Sequence, residues 1–524
     1  MVAALVIPAA SANAVRIDRS TSRSSAAASL NGHEVILDRS GRIRPWEGSG
    51  GYSRIVQRAW SFLLNDVPTG DNGLKLYYSY PYVDPDSLAP ADWPHNPASF
   101  NATLTDSALA YSAYSGNPAP AALARRLLDH HLANGMTPGN WDWSNVPYAS
   151  GDPGATEYRG SHFGDSDGTG DGFGVIAPDK VGEMGVAFIK MYEYTGETRF
   201  RTAAVNAADA LASHVRKGDA THSPWPFRAY AETNEVREQY TAHTIAPIKL
   251  FDELIRLGLG RVSAYRAARN TAWNWMMKYP MQNNVWSNYF EDVSIQGDRS
   301  NFNQLVALET ARYLLEHPAL DRKWKAHVRG IIRWVENTFG EREFGATKIA
   351  EQMVFYHHMG SHTSRYASIN AMLYDRTGDV AAKKKAFRSF NWATYMESAN
   401  GRTIDGPSVG NMWWTDGYGD YIKHFMAGIA VVPKWAGNGN HLLKSSSVVR
   451  SANYGSRSIN YVTFDKAAKE TLNVKRTPVR VTAGGKRLKR RNNLGSPGWT
   501  YKPKSGVLRV FHRNARRVEI TLPR

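Results

Sequence analysis

The chain has 524 residues and no cysteine, which excludes disulfides and thiolate metal sites and leaves the fold to rest on its apolar core. No run after the first residues reaches the ~18 apolar residues a membrane span needs. The formal net charge of +17 invites a nucleic-acid partner, but it is confined to one place: residues 441–524 hold 20 Lys and Arg against 3 Asp and Glu, and the rest of the chain holds 44 of each. No nucleic-acid motif accompanies the excess, and the aromatic residues lie elsewhere, so nucleic acid is not the expected partner.

Met1–Ala14 is a short apolar run ending in small residues, and Ala12-Asn13-Ala14 fits a cleavage site. It reads as a signal peptide lacking its charged start, and the protein is expected to be secreted. Residues 15–50, rich in Ser, Arg, Ala and then Gly, read as a tether or loosely held arm. Helical patterning begins at Tyr52 and runs to about residue 440.

The organising stretch is His162–Gly196. A Gly/Asp loop carrying Asp165, Asp167 and Asp171 leads into a helix whose Val181, Met184, Phe188 and Met191 recur at helical spacing. Pro178 suits a first helical position and Asp179 places negative charge in the first turn. The helix stops at Thr195-Gly196, and a second one follows at once. Equivalent turns fall at Ser115-Gly116, Leu257-Gly258, His317-Pro318 and Thr377-Gly378, the last four of the five being spaced by roughly 60 residues. A weaker pair near the start or near Tyr418–Val431 brings the number of helical hairpins to about six. Six such hairpins closed in a ring make an (α/α)6 toroid.

The long loops, such as 137–160 and 223–238, all precede the first helix of a hairpin, whereas the turns at the other end are short. The ring therefore has one plain face and one face crowned with aromatic and acidic loops. From about residue 441 two-residue alternation takes over in SINYVTF, ETLNV, PVRVTA, GVLRVFH and RVEITL, with a turn at Gly484-Gly485. This predicts a small, basic, antiparallel β domain of sandwich type. Its densest run, Lys486-Arg487-Leu488-Lys489-Arg490-Arg491, suits an acidic wall polymer or polysaccharide.

The hairpin count and the aromatic-acidic loops of residues 50–435 resemble the six-hairpin glycosidase-like superfamily, which includes uronyl hydrolases and the toroid modules of polysaccharide lyases. The resemblance implies a substrate cleft on the face where the inner helices begin. No cofactor is expected. Asp165, Asp167 and Asp171 are the candidate ligands for Ca²⁺, although an EF-hand would need a carboxylate where Ile176 stands.

Four clusters are candidates. Asp179 and Lys180, with Glu183, follow the Asp-rich loop. Glu235, Glu238, Tyr240 and His243 form the second, with Tyr240 and His243 three apart and so expected on one helix face. Glu291, beside Trp286 and Tyr289, is the third. The fourth is split between His362 with Arg365, in the first turn of a helix that Ser361 is expected to cap, and the loop bearing Trp413, Trp414, Asp416, Tyr418 and Asp420. Paired Trp beside carboxylates suits sugar recognition, supplying apolar faces for C–H surfaces and acceptors for hydroxyls.

A glycoside hydrolase needs two carboxyl groups flanking the bond, which Asp416, Glu238 and Asp179 can supply. A polysaccharide lyase would instead take a proton beside a uronate carboxylate, using Tyr240, His243 or His362, with Arg365 or Lys180 neutralising the acid. A non-catalytic polysaccharide-binding protein would not need so many polar loop groups. A terpene cyclase would want an apolar cavity with its Asp-rich motif on a helix. The expectation is a secreted carbohydrate-active enzyme acting on a polysaccharide or oligosaccharide, hydrolase ahead of lyase.

Overall fold

The computed structural model describes residues 28–48, 51–80, 84, 87–90, 96–162, 171–288, 301–407 and 417–523. Among them are twelve helices of ten residues or more, here numbered in chain order: α1 (Gly51–Asn65), α2 (Pro97–Ser115), α3 (Ala119–Asn134), α4 (Pro178–Thr195), α5 (Thr198–His214), α6 (Ile245–Leu257), α7 (Val262–Lys278), α8 (Gln304–Glu316), α9 (Trp324–Phe339), α10 (Gly360–Thr377), α11 (Val380–Thr394) and α12 (Ile422–Val431). The even-numbered helices form an inner ring in which each packs on the next and α12 returns to α2. The odd-numbered helices lie outside.

Burial separates the two rings. Every residue of α8 from Gln304 to Leu315 is buried, as is α10 from Gly360 to Ala371. By contrast, α9 buries only the stripe Val328, Ile331, Ile332, Val335 and Phe339. A helix enclosed on all sides is an inner one; a helix with a single apolar stripe rests on the surface of others. Close approach within the inner ring is made possible by small residues. A Cβ on Gly182 would lie 2.5 Å from the Pro247 nitrogen, and one on Gly185 would lie 2.4 Å from Leu250 Cδ2, so α4 and α6 meet almost backbone to backbone there.

Four of the five expected turns end a helix on a glycine in the left-handed region: Gly116, Gly196, Gly258 and Gly378, with φ of 79°, 84°, 67° and 75°. At the fourth, α8 ends on Glu316 and a short 3₁₀ turn, Pro318–Leu320, leads to α9. The sixth hairpin is closed in space and not along the chain, since α12 pairs with α1 from the start of the toroid. Tyr52, Phe390, Phe425 and Trp435 seal that junction, the Tyr52 ring lying 5.4, 5.3 and 5.6 Å from the other three.

The long loops at the N-terminal ends of the inner helices are braced by two three-stranded antiparallel sheets. One joins Val175–Ile176, Arg228–Tyr230 and Val236–Glu238; the other joins Gly340–Glu343, Ala346–Ala350 and His358–Met359. The described part of the N-terminal arm, residues 28–48, is not loosely held. Trp46 Nε1 donates to the Thr394 carbonyl at 2.7 Å, Asn391 Nδ2 donates to the Ile43 carbonyl at 2.9 Å, and the Tyr395 hydroxyl donates to the Arg44 carbonyl at 2.9 Å. Leu30, Val35 and Ile43 are buried, an apolar set too sparse to stand out from the Ser- and Arg-rich background. The expected signal segment 1–14 lies outside the described residues.

Strands begin again at His441 and form two antiparallel sheets. One has five strands, in the order Val449–Tyr454, Ser458–Thr463, Arg517–Thr521, Arg480–Ala483 and Lys486–Arg487. The other has four: Gly498–Lys502, Val507–His512, Ala468–Asn473 and His441–Ser445. Their inward residues, among them Ile459, Tyr461, Leu472, Val481, Trp499, Leu508, Val510 and Ile520, make a second core distinct from that of the toroid. The sandwich meets the toroid through His441, stacked 4.1 Å from Tyr114, Tyr454, whose hydroxyl donates to the Ala113 carbonyl, and Arg450, whose Nε donates to the Glu193 carbonyl at 2.7 Å.

Candidate active site

The N-terminal ends of the inner helices converge on one cavity, whose charged lining includes Asp106, Glu183, His243, Lys249, Glu309, Arg365, Asp420 and Lys423. The placement follows a simple rule of the repeat. Glu183, Lys249, Glu309 and Arg365 stand at the fifth or sixth residue of α4, α6, α8 and α10 in turn, so successive helices present alternating charge at one level. From Lys249 onward the series is also linked by contacts. Lys249 Nζ lies 3.1 Å from Glu309 Oε2, Arg365 Nε lies 3.6 Å from Glu309 Oε1, and Arg365 also binds Asp420. Burial pushes the Glu309 carboxyl up, but Arg312, Lys249, Lys423 and Arg365 overcome this and hold it well below the usual carboxylate range.

On the other side of the cavity, His243 Nε2 lies 3.1 Å from Glu183 Oε1, and the Ser99 hydroxyl donates to Glu183 Oε2 at 3.0 Å. Burial raises the Glu183 carboxyl, yet the His243 bond and the charges of Lys180 and His243 outweigh it and bring the group down to about 2. Asp179, one helical turn earlier, moves the opposite way. It is 1 % exposed, and burial lifts its carboxyl above the ordinary value although Lys180 and His243 oppose the shift. Lys180 Nζ lies 3.0 Å from Asp179 Oδ2, so the two form a pair behind Glu183. Asp179 caps nothing beyond its neighbour's amide: Oδ1 accepts from Lys180 N at 2.9 Å.

Two histidines have their tautomers fixed by arginine, which can only donate. Arg312 donates to His424 Nδ1 at 2.8 Å, so the neutral ring carries its proton on Nε2 and donates to Asp420 Oδ1 at 3.0 Å. Arg365 donates to His362 Nδ1 at 2.8 Å, which leaves the proton on Nε2, facing Glu351 at 3.8 Å. Both rings are held well below the usual imidazole value, by burial first and then by the neighbouring guanidinium groups.

The expected site residues divide accordingly. His243, Arg365 and Asp420 meet at the cavity, with Asp179, Lys180 and His362 directly behind its wall. Glu238 and Tyr240 are not among the lining residues. Glu238 pairs across the ladder with Arg228, whose Nη1 lies 3.3 Å from Glu238 Oε1, and both are buried. The Tyr240 hydroxyl donates to the Val285 carbonyl at 2.9 Å, and its ring packs 5.6 Å from Trp275. Tyr240 and His243 do not share a helix face as expected, because α6 starts only at Ile245. Pro247, which lacks an N–H, is accommodated in that first turn. Ser361 likewise sits inside the first turn of α10 and does not cap it. Tyr418 is fully buried, edge-on to Tyr77 at 4.8 Å, and burial drives its hydroxyl well above the ordinary tyrosine value.

Asp416, Trp413, Trp414, Glu291, Asp165 and Asp167 lie outside the described residues. Asp171 is buried, and its Oδ1 accepts from the Ser161 amide at 3.0 Å and from the Ser150 hydroxyl. Among the described residues no group of three His, Asp or Glu side chains is placed to hold a metal ion. No helix among them is long and apolar enough to cross a membrane.

The residues that sequence reasoning missed are Ser99, Lys249, Glu309, Lys423 and Asp106. The signal for Lys249 and Glu309 lay only in comparing repeats: each is the first charge of its helix, after four and five uncharged residues respectively.

No protein-family model matches the sequence, and a comparison with curated proteins finds no sequence relative. Solved structures do match. A D-mannose isomerase aligns with a TM-score of 0.53 at 11 % identity, covering 73 % of this chain and 97 % of that one. The cellobiose 2-epimerase from Spirochaeta thermophila aligns at 0.51 and 12 % identity, covering 73 % and 97 %, and a sugar epimerase from a ruminal bacterium at 0.50 and 11 %, covering 72 % and 98 %. The likeness establishes the fold: the chain adopts a six-hairpin, (α/α)6-toroid architecture.

Proposed function

We propose that this protein is a carbohydrate-active enzyme working by general acid–base catalysis, with Glu183 and His243 as its proton-transferring pair. The observation that carries the reading is their bond at the mouth of the ring, inside a cavity walled by alternating charges. A cavity rich in fixed donors and acceptors suits a ligand covered in hydroxyls. A carboxylate bonded to an imidazole nitrogen holds the ring in one orientation, and an oriented imidazole is suited to proton transfer.

Two reactions use such a pair. In the first, His243 removes a proton from a sugar carbon beside a carbonyl or carboxylate, and Lys249 and Arg365 neutralise the negative charge that develops on oxygen; the enolate then either takes a proton back from the His243 imidazolium at that carbon, as in epimerisation, or breaks the C–O bond on the neighbouring carbon, the departing oxygen taking that proton, as in elimination. The cavity lining holds a candidate base and the cations this reaction calls for, which supports the reading we favour. In the second, glycoside hydrolysis, one carboxyl must be protonated and another ionised. The opposite shifts of Asp179 and Glu183 favour that reading. However, Asp179 is buried behind Lys180, and the proton donor would have to come from it or from Asp416.

The test is turnover of a panel of neutral and uronate-containing oligosaccharides in heavy water. Proton abstraction washes deuterium into a C–H position or yields an unsaturated uronate; hydrolysis releases reducing ends and leaves every C–H intact. Glu183→Gln and His243→Gln are each expected to lower the rate by about 10²–10⁴-fold. Full activity in both variants, or no change in any carbohydrate tested, would refute the assignment.

A further inference from the structure

Both sheets of the β domain carry exposed cations, but only the five-stranded one also carries an outward carboxylate, Glu519. Cross-strand registers place Lys469, Phe511 and Gly498 in one row, and Thr471, Arg509 and Thr500 in the next, on the outer face of the four-stranded sheet. Lys502 follows on the edge strand, and Arg513 stands just past the end of the strand that carries Phe511. Lys469, Lys502, Arg509 and Arg513 are all exposed. The Phe511 ring serves as a floor, with Lys469 Nζ and Arg513 Cζ each 5.0 Å from its centroid. Arg491 is laid across the same row. A Cβ on Gly498 would fall 2.6 Å from Arg491 Cδ, so only glycine leaves room for that side chain.

None of the domain's three carboxylates reaches this face. Asp465 is bound to Arg256 of the toroid at 3.3 Å, Glu470 is buried against His512 at 3.3 Å, and Glu519 lies on the other sheet, 3.1 Å from Arg517. Among the described residues no carboxylate pairs with Lys469, Lys502, Arg509 or Arg513. Four cations without counter-ions on a flat sheet are costly to keep together and need an external anion to balance them.

We propose that this face binds an acidic polysaccharide. The surface is flat and cationic and carries the hydroxyls of Thr471 and Thr500 between the charges. It has no exposed aromatic ring on which a base could stack, and no exposed large apolar side chain for a membrane or an apolar protein partner; Val479, the one such residue described in this domain, is not in either row. A linear polymer bearing carboxylates and hydroxyls matches both features. The choice of polysaccharide over another polyanion rests partly on the carbohydrate reading of the toroid. The assay below measures retention and not turnover, so either can fail without the other.

Full-length protein is passed over immobilised polygalacturonate at low salt. It should be retained, and should elute as salt rises. Replacing Lys469, Lys502, Arg509 and Arg513 by Gln should weaken apparent affinity roughly tenfold or more, from four exposed ionic contacts. Removing the same charge from the five-stranded sheet, at Arg457, Arg480, Lys486 and Arg487, should have a much smaller effect. If the fourfold variant does not fold, Arg509→Glu alone, at an exposed position, should still lower retention. Equal losses from the two sheets, retention that ignores salt, or tighter binding to duplex DNA or phosphatidylserine vesicles than to polygalacturonate would each overturn the proposal.

Discussion

Glu183→Gln tests the electrostatics of the mouth independently of any substrate. The carboxyl titrates near 2 in the folded protein against an ordinary value of 4.5, and its side chain is only 15 % exposed, so solvent screening removes little of the effect. At ~1.4 kcal/mol per pKa unit, a depression from 4.5 to about 2 corresponds to a coupling on the order of 3 kcal/mol. The folded value lies below the unfolded one. Glu183 therefore contributes its full stabilisation above the unfolded pKa, and the contribution is lost as pH falls toward the folded one. Gln keeps the shape and the Ser99 contact but has no ionisation to couple. Urea unfolding of both proteins at about pH 7 should show the variant less stable by up to ~3 kcal/mol. That gap should narrow by about 1.4 kcal/mol one unit below the unfolded pKa and continue to close in stronger acid. A gap that stays constant from neutral pH to about one unit below the unfolded pKa would show that the Glu183 charge is not what the His243 bond holds, and the reasoning would fail.

Two further substitutions probe the frame around the site. Gly182→Ala places a methyl group against the Pro247 backbone, where nothing flexible can yield; about 1–3 kcal/mol of stability should be lost in chemical denaturation, and a neutral result would mean α4 and α6 are not in backbone contact. Arg365→Met removes the cation shared by Glu309, Asp420 and His362 and should cost about 3–5 kcal/mol at neutral pH, the deficit shrinking in acid as the stranded carboxylates take up protons; a deficit independent of pH would point to lost packing alone.

The ring was legible because its signals are local. An apolar helical stripe, a Gly in the last turn and a basic aromatic helix afterwards can each be read within one hairpin, and α2 to α11 fall where those signals put them. What could not be read locally is the closure of the ring. The partner of α12 is α1, some 360 residues earlier, and neither helix has a neighbour in sequence to mark it as half of a hairpin. The arm illustrates the same limit. Trp46, stacked 4.0 Å from His33 and bonded to Thr394, anchors residues whose composition resembles a linker.

The site shows why proximity in sequence is a poor guide to chemistry in a toroid. Glu238, Tyr240 and His243 are neighbours along the chain, yet only His243 faces the cavity. A strand ladder turns Glu238 toward Arg228, and the extended segment before Ile245 turns Tyr240 toward Val285. The residue that does meet His243 is Glu183, 60 positions away. The separation is close to the repeat length because Glu183 stands in the second turn of α4 and His243 just before the start of α6, the adjacent inner helix. In such a ring the informative comparison is between equivalent positions of successive hairpins. Glu183, Lys249, Glu309 and Arg365 form a series of alternating sign on that comparison, and their separate sequence contexts give no hint of it. Alternation is also what makes the ring tolerable as a structure. Each charge has an opposite one on the next helix, so the burial cost of one is offset by its neighbour. His243 joins the series between Glu183 and Lys249, from the loop before α6 and not from the helix itself. The proposed proton transfer falls there, where the bonded chain of inner-helix charges gives way to a carboxylate–imidazole pair.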